Sequence, residues 1–66
     1  MPTVRDAIRL VERDGWIHAR TRGSHRQFRH PDKPGTVTIP GSLGDEVPRG
    51  TWLNILRQAG LRRSSQ

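Results

Sequence analysis

An α+β fold of order α-β-β-β-α follows from three features of this 66-residue chain. Apolar residues recur at helical spacing near both ends. Between those stretches lie three short runs with strand chemistry. Gly23-Ser24 and the Pro31–Gly35 segment divide the runs as turns do. A chain of this length holds one domain and buries only about 60 % of the surface its unfolded form exposes. Residues 1–61 are expected to form that domain, with 62–66 as a flexible tail.

The first helix is predicted over Thr3–Asp14. Thr3 and Asp6 stand three apart, as in a capping box, with Asp in place of the usual Glu or Gln. Val4, Ala7, Ile8 and Val11 make its apolar stripe, and Gly15 is its stop signal. Trp16–Thr21 then reads as a strand of ambiguous register. Trp16 and His18 share one side of it, and Ile17 and Ala19 share the other.

Gly23 before a polar residue, between two extended runs, signals a hairpin, because Gly enters positive φ without steric cost. The following strand must bury Phe28 in so small a protein. Ser24, Arg26, Phe28 and His30 are therefore expected to lean inward, leaving His25, Gln27 and Arg29 to solvent. Thr36–Ile39 is β-branched throughout and ends at Pro40. Residues 41–47 read as a loop with two glycines. Pro48 suits the first turn of a second helix, in which Trp52, Ile55, Leu56 and Ala59 trace an apolar stripe closed by Gly60. Three antiparallel strands would thus carry two helices on one face and leave the other open.

The chain contains no cysteine, which excludes a disulfide scaffold and a thiolate metal site. No apolar run is long enough to span a membrane, and no signal-peptide stretch opens the chain, so a cytoplasmic protein without a membrane partner is expected. Net charge is +6, and eleven of the twelve basic residues are arginine, the side chain suited to bidentate phosphate contact. The six acids lie at Asp6, Glu12, Asp14, Asp32, Asp45 and Glu46. None falls between Arg20 and His30, where four arginines and two histidines cluster. That asymmetry points to a polyanionic partner, RNA above all.

His25 is the candidate with the sharpest chemistry. It follows the Gly-Ser turn and has Arg20, Arg22, Arg26 and Arg29 near it in sequence, with Ser24 and Gln27 able to donate or accept. Imidazole exchanges protons near neutral pH, and guanidinium groups neutralise phosphate. A surface histidine with no task is the plainer alternative. His18 reads as packing, and His30 as a strand end before Pro31. The three histidines match no standard zinc spacing, and arginines would repel a cation, so no metal or cofactor is expected. Ser24 and His25 point to opposite faces of a strand, which argues against a Ser-His-Asp hydrolase. No carboxylate pair lies in a basic context, as a two-metal nuclease would need. Trp16 and Trp52 read as core in preference to base-stacking platforms.

Taken in order, Asp14-Gly-Trp16, Arg20-Thr-Arg-Gly-Ser-His25, Phe28-Arg-His-Pro31, Thr36-Val-Thr-Ile-Pro40, Gly50-Thr51 and Ile55-Leu-Arg-Gln-Ala-Gly-Leu61 resemble the HicA family of bacterial toxins. The likeness covers residues 3–61 and keeps every block in sequence. Gly-Ser-His is a weak signal by itself and becomes specific when joined to the terminal Ile-Leu-x-Gln-Ala-Gly-Leu. The family has a double-stranded RNA-binding-domain-like fold, α-β-β-β-α. The resemblance implies an mRNA interferase, ribosome-dependent or free, held inactive by a HicB-type antitoxin. It places the catalytic histidine on His25. Departures are a proline-rich 31–35 turn and a longer 41–47 loop.

The function expected is therefore metal-independent cleavage of mRNA by the toxin of a toxin–antitoxin pair. His25 would act as general acid or base, with Arg20, Arg22, Gly23, Ser24, Arg26 and Arg29 holding the RNA. The alternatives are a non-catalytic RNA-binding module, which needs the cationic surface but not His25, and a basic adaptor for an acidic protein. Sequence preference, oligomeric state and the second acid–base group have no signature in the chain.

Overall fold

The computed structural model describes residues 1–61. The tail expected at 62–66 lies outside the described residues. Elements run α1 (Val4–Arg13), β1 (Ile17–Arg22), β2 (His25–Arg29), β3 (Val37–Pro40) and α2 (Arg49–Gln58). This is the α-β-β-β-α order expected from the sequence, with each end within a residue or two. The strands form one antiparallel sheet in the order β1-β2-β3.

Helix α1 begins as its sequence dictates. Thr3 accepts from the Asp6 amide, and the Asp6 carboxylate accepts from the Thr3 amide at 2.8 Å, completing the capping box. The 41–47 loop completes this end. Its carbonyls at Asp45 and Leu43 take the amides of Val4 (2.9 Å) and Arg5 (3.2 Å), two donors that no helical turn can satisfy. The loop is thus a cap on α1, a role invisible in its composition.

Val4, Ala7 and Val11 of α1 meet Trp16, Phe28, Val37, Ile39, Val47, Ile55 and Ala59 in a single core. Phe28 is 1 % exposed, so the register expected for β2 holds. Helix α2 differs in detail. Ile55 and Ala59, one turn apart, are buried, whereas Trp52 and Leu56 are half-buried and Leu53 is 46 % exposed. A helix on one face of a three-stranded sheet seats a narrow line of side chains. Leu56 sits 100° around from Ile55 and falls on its margin.

Strand β1 settles its ambiguity with a bulge. From the hairpin, Arg22 pairs with His25, Thr21 with Arg26 and Arg20 with Gln27. Regular pairing would then set Ala19 against Phe28. The register shifts between His18 and Arg20, so that His18 pairs with Phe28 and Ile17 with Arg29. The extra residue turns His18 to the helix side, where its ring meets Phe28 edge-on at 5.5 Å between centroids. It also turns Ile17 outward, 63 % exposed.

The turn after β2 is stapled to both helices. His30 accepts the Asp32 and Lys33 amides at Nδ1 (2.9 and 3.1 Å), which fixes the proton on Nε2. Nε2 then donates to the Asp14 carbonyl at 2.8 Å. Lys33 Nζ reaches the Asp14 carboxylate at 2.5 Å and the Ala59 carbonyl at 3.1 Å. The Lys33 ammonium, with the Trp16 indole assisting, holds the Asp14 carboxyl below its ordinary range despite some desolvation. Gly15, at φ +103°, lets the chain pass beneath His30, where a Cβ would stand 2.7 Å from Nε2.

Candidate functional site: the open cationic face of the sheet

Strand pairing decides which side chains share the uncovered face. A two-residue turn joins β1 to β2, with Gly23 at φ +59°, a conformation that costs Gly little. Arg22 and His25 close the hairpin as partners, and Pro40 of β3 lies on the other side of His25. The next rung on this face is Arg20, Gln27 and Thr38, and beyond it stands Ile17 opposite Arg29. Partners on one rung have Cβ atoms about 5 Å apart. Arg22 is therefore the cation nearest His25 across the strands, with Arg20 on the diagonal. Arg29 lies four residues from His25 along β2, about 13 Å at strand rise.

These groups are solvent-facing and uncommitted. His25, Arg20, Arg22 and Arg29 are exposed, and Gln27 is half-buried between neighbouring strands. Among the described residues no hydrogen bond engages the His25 ring or these guanidinium groups. The ion pair found among the described residues, Lys33–Asp14, sits at the stapled turn. Guanidinium charge on the open face is therefore left for an external anion.

Six of the seven residues expected to form the site meet around this face. Gly23 and Ser24 shape the turn at its edge, and the Ser24 carbonyl accepts the Gly41 amide at 2.9 Å. Arg26 is the exception. It lies on the helix side of the sheet, half-buried, and its Nη1 donates to the Gly41 carbonyl at 2.8 Å. Its pairing with Ile39 on the inner face follows from the alternation that buries Phe28. Arg26 thus ties the β3–α2 loop to the hairpin, away from His25.

The sequence places Gln27 on the open face beside His25 but gives no sign of its rung partner Thr38 or of the exposure of Ile17. Alternation from Phe28 finds Gln27, while Thr38 requires the β2–β3 register. The Thr38 amide points off the sheet edge and donates to Gln58 Oε1 of α2 at 2.8 Å, so α2 covers the edge of β3. The edge of β1 has no such cover among the described residues, and all six of its residues are exposed. No group of three or more His, Asp and Glu that could hold a metal occurs among the described residues. No helix is long and apolar enough to cross a membrane.

Two helices on one face of a three-stranded antiparallel sheet, with a cationic histidine-bearing face opposite, define a small α+β protein of double-stranded RNA-binding-domain-like form. The family model for the HicA toxin of bacterial toxin–antitoxin systems matches residues 4–61. The chain belongs to the HicA toxin family. It is thereby a toxin of the toxin–antitoxin class, with an antitoxin as its implied partner. No curated protein matches the chain.

Proposed function

We propose that the protein is an endoribonuclease that cuts mRNA in the cytoplasm without a metal, with His25 as its proton-transfer group. The observation that carries this reading is the single uncommitted imidazole on an acid-free face, with Arg22 beside it. The RNA backbone would lie along the face so that its phosphates meet Arg20, Arg22 and Arg29. Gly23 and Ser24 would let the chain approach closely at the turn. Arg26 serves this site indirectly, by anchoring the hairpin to Gly41.

The chemistry is transesterification. His25 takes the proton of a 2′-hydroxyl as that oxygen attacks the adjacent phosphorus. The bond to the 5′-oxygen breaks on the far side of the phosphorus, water protonates that departing oxygen, and the imidazolium gives its proton back to solvent. The products are a 2′,3′-cyclic phosphate and a 5′-hydroxyl. Arg22 and Arg20 offset the charge that builds on the phosphorane, commonly the largest contribution in such sites. Proton transfer by a placed side chain adds about 10²–10⁴-fold.

The antitoxin implied by the family is, in this reading, a HicB-type protein whose acidic surface covers His25 and the open-face arginines. Association should then be fast at low salt and slow as salt rises. Incubating the purified protein with a capped mRNA and mapping the cut ends tests the reading. Ends bearing a cyclic phosphate and a 5′-hydroxyl, lost on adding the antitoxin, are expected. Binding without cleavage would make the protein an RNA-binding module instead.

A further inference from the structure

A second cluster of chemistry-bearing side chains lies on the helix side of the sheet, outside the open face. Ile8 and Glu12 of α1 face His18, Thr21, Arg26 and Phe28 across an open groove of about 210 Å³. Phe28 and Ile8 give it an apolar floor, and His18 stands on Phe28 with its ring held edge-on. A bond of 2.7 Å between His18 Nε2 and the Thr21 hydroxyl fixes that ring although it is exposed. A fixed exposed ring over an apolar floor suits a flat aromatic ligand.

The walls carry opposite charges that do not pair. Glu12 stands on the α1 side and Arg26 on the sheet side, and the ion pair found among the described residues is elsewhere. Arg26 spends one N–H on Gly41, which leaves further guanidinium donors. The carboxylate disfavours a phosphate here, and the guanidinium disfavours a metal ion. A heterocycle with donors on one edge and acceptors on another satisfies both walls. Guanine sets N1–H and N2–H side by side for a carboxylate, and offers O6 and N7 to a guanidinium. Adenine and cytosine each lack that pair of adjacent donors.

Position ties the groove to the open face. Thr21 and Arg26 form the rung next to Arg22 and His25, so the groove and the imidazole are on opposite sides of one hairpin end. The edge of β1 between them is uncovered. An RNA strand crossing the open face can bend around that edge and turn a base into the groove. We infer that this groove is a base-recognition pocket that takes a guanine of the RNA strand lying against His25. The inference rests on the proposed RNA substrate and adds to it a preference set by Glu12, Arg26 and His18.

Titrating the full chain with guanosine, adenosine and cytidine 5′-monophosphates, observed by NMR at the His18 ring and the Thr21 amide, tests it without cleavage. Guanylate should move both signals and bind about tenfold to a hundredfold more tightly there than the other two. Glu12→Gln should remove that discrimination, and Glu12 is exposed, so the fold should persist. Equal binding of the three nucleotides would overturn the pocket. So would shifts confined to Arg20, Arg22 and His25, or discrimination that survives Glu12→Gln. Guanylate selectivity in a protein that cuts no RNA would uphold the pocket and refute the nuclease. Cleavage of RNA with no guanine near any cut would refute the pocket and leave the nuclease standing.

Discussion

His30 and His25 bracket strand β2, and their surroundings are opposite in kind. His30 is half-buried, accepts two backbone amides, donates to Asp14 and packs edge-on to Trp16 at 5.2 Å. Every polar atom of its ring is committed. His25 is exposed beside Arg22, and no described residue hydrogen-bonds its ring. The two differ because the chain covers one end of the sheet with both helix C-termini and leaves the other end to the hairpin. A histidine with all its bonds made within the protein is a structural part. One with none, placed among cations, is available to a ligand.

The largest expected effect lies on the covered side. Ile55→Ala should destabilise the fold by about 2–5 kcal/mol, because a buried side chain 1 % exposed is replaced by a cavity. Leu56→Ala should cost clearly less, since Leu56 is half-buried. Equal melting temperatures for the two variants would contradict the packing of α2.

The staple comes next. His30→Ala leaves two amides and the Asp14 carbonyl without their partner, and should cost about 2–3 kcal/mol. Chemical denaturation would detect that loss. An unchanged midpoint would erase the contrast with His25.

The acid limb of stability should report Asp14. Its carboxyl is held below the ordinary 3.8, chiefly by the Lys33 hydrogen bond. A depressed folded-state value contributes stability that is present above the unfolded value. The contribution is lost as pH falls through the folded one. Asp14→Asn should therefore flatten the decline below about pH 4. A melting series from pH 2 to 6 showing the same decline in both proteins would place the acid sensitivity elsewhere.

The smallest effect on stability, and the more telling one, separates two arginines. Arg22→Ala should change stability by less than about 0.5 kcal/mol and lessen the salt slope of RNA binding by about one unit. Arg26→Ala should instead cost about 1–2 kcal/mol through its bond to Gly41. A salt slope that Arg22→Ala leaves untouched would remove phosphate contact from the open face.

Local signals carried most of the architecture. The Thr3–Asp6 cap, the Gly23 turn, the β-branched run before Pro40 and the need to bury Phe28 set the elements and the faces of β2. From those faces His25, Arg20, Arg22 and Arg29 could be grouped with no coordinates. The bulge at Ala19 was not legible, because it settles a conflict between hairpin register and packing against Phe28 that exists only once strands pair. The Lys33 staple, the Gln58 cover on Thr38 and the loop cap on α1 join residues far apart in sequence. Arg26 shows both sides of this. Alternation put it inward, while charge grouped it with the arginines expected to hold RNA, and alternation determined its place.

The most direct measurement is made on His25→Ala, with circular dichroism, RNA affinity and cleavage read from one preparation. His25 supports no core packing, so the melting temperature should stay within a degree or two of wild type. RNA binding should persist on the arginines. Cleavage should fall about 10²–10⁴-fold, and growth arrest with it. Cutting at near wild-type rate by a folded His25→Ala protein would contradict the account. His18→Ala and His30→Ala would then show which imidazole, if any, does the chemistry.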